Sequence, residues 1–340
     1  MANLKSKVTL KDVAKQAGVA PSTVSYYFNG TAPVSTDAKK RIADAAESLN
    51  YVPASSTRSS YAKKTKQIAL VVHDAGEDLS IELLRGINDA LKQTPYQLVL
   101  SLSREPQESA ESIMAEKSVE GALYLTPFIN DPAPLQFSQN NFPFVLLGRA
   151  THLDKFYAVD VDNITSAQTA TNHLIQLGHR KIAFLAPSPL DYMVSLDRLT
   201  GFRMMMQLND LTVPDAYIRI GDADVLTGYR LTKELLELDE PPTAIVAGRD
   251  KLALGAMQAA RDCGVDVPEQ LAVVSFENTS TAAGYGITSM DAPIYDMGFE
   301  AARLLIQIIT HPEQSYKKIV VPSKLHERTS TMHVKEVSVR

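Results

Sequence analysis

The chain has 340 residues, 45% of them hydrophobic and 21% charged, with a formal net charge of −5 and a single cysteine, Cys263. That length points to two or three domains with a sizeable core, and one cysteine excludes an intrachain disulfide framework and fits a reducing compartment. No apolar run approaches the roughly 20 residues of a membrane span, and the opening MANLKSKVTLKDV lacks the apolar core of a signal peptide, so a cytoplasmic address is expected.

The net charge conceals a split. Residues 1–66 carry 11 Lys/Arg against 4 Asp/Glu, a net +7, while the remainder carries 23 against 35, a net −12. A basic module for a polyanion joined to an acidic body is the expected organisation. In the basic module, TLKDVAKQAGV places Leu10, Val13, Ala14 and Ala17 on one helical face. Thr9 suits the N-cap, Asp12 suits the first turn and Gly18 suits the stop. Pro21 then opens a second helix, in which Val24 and Phe28 repeat at i, i+4 and Ser22, Thr23, Ser25, Tyr26 and Asn29 point elsewhere. Two short helices around a tight glycine turn make a helix-turn-helix. Ser35 caps a third helix with the stripe Ile42, Ala45, Ala46 and Leu49. A plain three-helix bundle shares this pattern; the exposed polar set on the second helix, with Lys and Arg around it, favours reading of base edges in the major groove.

The segment VTLKDVAKQAGVAPSTVSYYFNGTAPVSTDAKKRIADAAESLNYVP resembles the DNA-binding headpiece of the lactose-repressor/galactose-repressor (LacI/GalR) family. The shared motifs run in order: V-T-L-x-D-V-A, A-G-V, T-V-S, N-G, V-S and L-N-Y-x-P. The resemblance implies that Pro21, Ser22 and Tyr26 read bases. It implies that Thr9, Thr23, Ser25, Asn29, Ser35 and Tyr51 position the DNA backbone. Two residues depart from the common pattern. Ala20 stands where a capping Ser is frequent. Tyr26 stands where Arg is frequent, and it offers one hydroxyl and apolar contact where Arg offers a fork to guanine.

The linker YVPASSTRSSYAKKTK, residues 51–66, is small, polar and basic, and by itself reads as a tether. The resemblance implies a hinge helix that enters the minor groove as a pair, with a leucine wedging a base step. Here that position is Ser60. Either Tyr61 substitutes or the central step stays stacked, and Arg58 remains available to phosphate.

From Gln67 the pattern becomes strand–helix alternation. QIALVV, YQLVLSLS, EGALYLT and FPFVLLG read as strands, with IELLRGINDALK and ESAESIMAEK as helices. A second series follows, with strands KIAFLA, YIRIG, TAIVAG and LAVVSF. Its helices are TATNHLIQLG, DRLTGFRMMMQLN, VLTGYRLTKELLEL and KLALGAMQAARDCG. Continuous apolar strands between amphipathic helices predict two doubly wound parallel-sheet subdomains with ligands at the strand carboxyl ends. The fold class expected is therefore an all-α helix-turn-helix headpiece on an α/β body.

The resemblance covers nearly the whole chain. It implies a periplasmic-binding-protein-like body, a homodimer and a small-molecule effector, a sugar or related metabolite. It divides the chain into a headpiece (1–52), a hinge (53–66) and a body (67–340). In the body, 67–160 with about 293–320 form one subdomain, and 161–292 with about 321–340 form the other. The effector residues it implies are His73, Asp74, Arg149, Arg198, Arg249 and Glu277. Arg249 sits where Asn is frequent and Glu277 where Asp is frequent. The added cation calls either for an anionic ligand or for pairing with Glu277.

No H-E-x-x-H, G-x-S-x-G, phosphate loop or dinucleotide fingerprint occurs, so no catalytic residue, metal site or cofactor is expected. A ligand-responsive repressor bound to near-palindromic double-stranded DNA is the expected function. The alternatives are a cytosolic solute-binding protein with a vestigial front module, or an enzyme on the same body.

Overall fold

The computed structural model describes residues 9–29, 32–49, 51, 65–72, 81–102, 110–114, 118–125, 131–148, 156–188, 193–311 and 317–331. The chain divides into two compact units, Met1–Thr65 and Lys66–Arg340.

The first unit holds α1 (Leu10–Ala17), α2 (Pro21–Asn29) and α3 (Thr36–Ser48). The Asp12 carboxylate accepts from the Thr9 hydroxyl at 2.6 Å and the Thr9 backbone N–H at 2.8 Å. Those bonds, the hydroxyl's first, hold its pKa below the usual carboxylate range. Gly18, at φ +64°, ends α1 in the left-handed region that glycine reaches without steric cost. Val13, Ala14, Ala17, Val24, Ile42 and Ala45 are buried together, the stripes the spacing predicted, with Leu10, Phe28, Ala46 and Leu49 packed around them. Arg41 donates from Nη1 to the Ala17 carbonyl at 3.2 Å, joining α3 to the carboxyl end of α1.

The second unit is built on two six-stranded sheets. The first contains β1 (Gln67–Val72), β2 (Gln97–Leu102), β3 (Ala122–Leu125), β4 (Phe144–Leu147), β5 (Ala158–Val161) and β11 (Lys318–Val321), in the order β11-β5-β4-β3-β1-β2. All its pairings are parallel. The second contains β6 (Ile182–Pro187), β7 (Ile218–Gly221), β8 (Ala244–Ala247), β9 (Ala272–Glu277), β10 (Thr288–Asp291) and β12 (Leu325–His326), in the order β12-β10-β9-β8-β6-β7. Its strands are parallel except β12, which runs antiparallel to β10. The two parallel-sheet subdomains are as expected; the antiparallel β12 is a two-residue edge pairing reached without a crossover helix before it.

Helices α4 (Ile81–Leu91), α5 (110–114), α6 (Ala133–Gln139) and α12 (Ile294–Thr310) pack around the first sheet. Helices α7 (Asn163–Gln176), α8 (Met193–Leu208), α9 (Val225–Leu236), α10 (Asp250–Asp262) and α11 (Ser280–Gly284) serve the second. Buried apolar clusters lie on both faces of each sheet, the arrangement that parallel strands require. The chain passes between the sheets three times: from β5 to α7, from β10 to α12 and from β11 to β12.

Two local findings depart from the sequence reading. Helix α7 starts at Asn163, six residues before the expected helix, because Asp162 caps it by accepting from Thr165 N–H at 2.9 Å. Strand β2 has apolar residues on exposed positions, Val99, Leu100 and Leu102. As the edge strand it has a sheet neighbour on one side only.

Candidate functional site

The headpiece presents two classes of side chain on α2. Val24 is completely buried, and Tyr27 and Phe28 pack against the core, their rings meeting edge-on at 5.0 Å. Pro21, Ser22 and Tyr26 face solvent, Tyr26 being 43% exposed, while Thr23 and Ser25 are half-buried. A helix pinned along one stripe thus holds a proline, a hydroxyl and a phenol outward in fixed register. Asn29 ends α2, but its side chain lies outside the described residues. Thr9 is exposed with its hydroxyl committed to Asp12. Ser35 is exposed, and its Oγ accepts from Ala38 N–H at 3.4 Å, in keeping with its expected capping of α3. Tyr51 packs on the headpiece core with its ring 5.9 Å from that of Phe28. Its ring is therefore part of the fold, a role the sequence reading did not give it. Arg58, Ser60 and Tyr61 lie outside the described residues.

In the body, Arg198, Arg249 and Glu277 come together at the carboxyl ends of the second sheet. Arg198 projects from α8 and is only 7% exposed. Its Nη1 donates to the Gly248 carbonyl at 2.8 Å and its Nε to Asn163 Oδ1 at 3.2 Å, so two of its three nitrogens are engaged within the chain. The guanidinium lies 4.5 Å from the centre of the Phe276 ring, a cation–π contact. Burial pushes its pKa down to about 10, so it remains charged at neutral pH. Asn163 opens α7 directly after the passage from β5. The buried cation is thereby tied to one of the crossings between the sheets.

Arg249 follows β8 at the cap position of α10, and its Nε lies 3.6 Å from Glu277 Oε1. Glu277 ends β9 at φ +105°, and Asn278 follows at φ +52°. Two successive non-glycine residues in this region are uncommon and cost about 1–3 kcal/mol each, so surrounding bonds must hold them. Arg328 supplies one, donating from Nη2 to Asn278 Oδ1 at 2.5 Å, and Asn278 N–H donates to Ser289 Oγ at 3.0 Å. Burial raises the Glu277 pKa against the opposing pull of Arg249 and then Arg198. Beneath the pair, buried Asp250 accepts from Ser275 Oγ, from Ser289 Oγ at 2.8 Å, and from Thr279 through N–H at 2.7 Å and Oγ1 at 2.8 Å.

His73, Asp74 and Arg149 lie outside the described residues. Sequence reasoning missed Asn163, Gly248, Phe276 and Asp250, which surround the pocket's charged groups. Gly248 acts through its backbone, which no side-chain pattern reveals. Phe276 reads as one more apolar strand residue. No group of three or more His, Cys, Asp or Glu among the described residues has a metal-binding arrangement, and no described helix is long and apolar enough to cross a membrane.

Comparison with known proteins gives two domain matches. Residues 9–54 match the model for bacterial regulatory proteins of the lacI family, and residues 171–331 match that for a periplasmic binding protein-like domain. Catabolite control protein A of Priestia megaterium is 30% identical over 95% of this chain and 99% of its own length. The HTH-type transcriptional regulator CelR of Thermobifida fusca is 31% identical over 95% and 98%. The structure of a CelR–cellobiose complex superimposes with a TM-score of 0.71 at 30% identity, covering 95% of this chain and 99% of that one. A helix-turn-helix unit, a two-sheet body and relatives matched end to end have one reading: the chain is a transcriptional regulator that belongs to the lacI family of bacterial regulatory proteins.

Proposed function

We propose that the chain is a homodimeric, cytoplasmic repressor, without enzymatic activity, that binds a near-palindromic operator and responds to a small effector of the sugar class. One observation carries the DNA-binding half: Ser22 and Tyr26 face outward from a helix whose opposite stripe, through Val24, is locked in a complete core. Pro21, Ser22 and Tyr26 are the proposed base readers. Thr9, Thr23, Ser25, Asn29, Ser35 and Tyr51 are the proposed backbone contacts, continued by Arg58, Ser60 and Tyr61 in the hinge. The reading divides the chain at residues 52 and 66, and the body as the sequence analysis does.

The effector half rests on the pocket. Among the described residues the bonds of Arg198 engage Nε and Nη1, and Glu277 with Arg249 offers an acceptor and a donor side by side, a set that suits hydroxyl groups. His73, Asp74 and Arg149 are proposed to complete it. The cellobiose bound to CelR supports the sugar class. Exposed Val99, Leu100 and Leu102 on edge strand β2 support association with a second copy.

Selection from random duplex DNA tests the reading. The wild-type protein will recover a two-fold-related sequence with half-sites about one helical turn apart. Tyr26→Ala will change the preferred bases at symmetric positions at a cost of about 1–3 kcal/mol on the wild-type site. Recovery of unrelated sequences by the wild type, or an unchanged preference in Tyr26→Ala, would reject it.

A further inference from the structure

We propose that Glu277 is a resident anion, filling from within the chain the anion position that its surroundings create, so that the pocket selects neutral ligands and rejects anionic ones. The inference rests on the pocket being the effector site and adds the rule by which it discriminates. Three features converge on one point. The Arg249 guanidinium is 3.6 Å from the Glu277 carboxylate. Buried Arg198 stacks on Phe276, the residue before Glu277, and bonds the carbonyl of Gly248, the residue before Arg249. Arg249 is the cap residue of α10, which puts the ion pair at that helix's amino end. Two cations and a helix amino terminus are an anion-binding arrangement, and a side chain of the protein already occupies it.

The occupant is placed by design of the backbone. Glu277 and Asn278 both sit at positive φ at the end of β9, and Arg328 and Ser289 hold that turn through Asn278. The pair is half-buried, with the Arg249 and Glu277 side chains 21% and 27% exposed, so its charges are less screened than those of a fully exposed bridge.

Charge balance sets the selectivity. Among the described residues of the pocket, Arg198 and Arg249 face Glu277 and Asp250, two cations against two carboxylates. Asp250 is fully committed to Ser275, Thr279 and Ser289. A ligand phosphate or carboxylate entering here must either displace Glu277 or lie against it. A neutral polyhydroxyl ligand meets neither obstacle.

Inorganic phosphate is the probe, measured against chloride at equal ionic strength by thermal unfolding of the full chain. The wild type will unfold at the same temperature in both salts. Glu277→Gln, isosteric and uncharged, will be selectively stabilised by phosphate, with apparent affinity at least about tenfold tighter than wild type, since a like charge a few ångströms away has gone. Glu277→Ala serves if the glutamine variant does not fold. Adding Arg249→Asn to either variant will abolish the gain. Phosphate stabilisation of the wild type that is lost in Arg249→Asn would overturn the proposal, because Arg249 would then serve a ligand anion. Folded Glu277 variants with no phosphate gain would overturn it equally. DNA affinity does not enter this measurement, so its failure stays distinct from failure of the regulator reading.

Discussion

Arg198→Met will abolish effector binding and lower the thermal stability of the body. The side chain sits at 7% exposure with bonds to the Gly248 carbonyl and Asn163 Oδ1. Methionine fills much of the volume but leaves both acceptors unpaired, and Glu277 loses one of its two cations. Removing one member of a buried charge cluster costs about 3–5 kcal/mol, mostly through what is left behind. Arg198→Lys will restore little, because one ammonium nitrogen cannot fill the separate positions of Nε and Nη1 and has no planar face to lay on Phe276. Calorimetry with a ligand of the wild type and thermal unfolding check this together. Retained affinity in Arg198→Met would remove the residue from the effector site.

Gly86→Ala will destabilise the first subdomain by about 2–3 kcal/mol, the scale of overpacking in a close-packed interior. A Cβ there would lie 2.0 Å from the Tyr295 carbonyl oxygen and 3.0 Å from Phe299 N. Both are backbone atoms of α12, so no side-chain rotation relieves the clash and the α4–α12 pair must separate. Separation would also strain the bond from Tyr295 OH to Asp89 Oδ2, 2.9 Å long. Gly284→Ala is the control: a Cβ there meets nothing within 4 Å, and its expected effect is near zero. Equal unfolding midpoints for the two variants would contradict the packing account.

Elements whose causes are local were legible in the sequence. The headpiece is specified by neighbours a few residues apart: Asp12 bonding Thr9, Gly18 turning the chain, Val24 and Ile42 recurring at helical spacing. The strands QIALVV and TAIVAG stand out because both faces of a buried parallel strand are apolar. Strand β5, AVDV, did not stand out, because Asp160 interrupts its pattern. That carboxylate is buried, its pKa raised by burial, and is balanced by Lys318 of neighbouring β11 at 3.1 Å. Its partner lies 158 positions away, and no local rule anticipates it. The pocket divides in the same way. Arg198, Arg249 and Glu277 were found through the family resemblance. The bond to Asn163, the Gly248 carbonyl, the ring of Phe276 and the left-handed turn at Glu277 are products of the tertiary fold.

The central claim is that a ligand in the body controls DNA held by the headpiece. Its most direct test is the affinity for the selected duplex, measured by fluorescence anisotropy with and without a saturating compound found by thermal-shift screening. The account predicts that the ligand changes operator affinity by about tenfold or more, within the usual range of coupling between two sites, while affinity for scrambled duplex moves little. A ligand that binds the body and leaves operator affinity unchanged would contradict it.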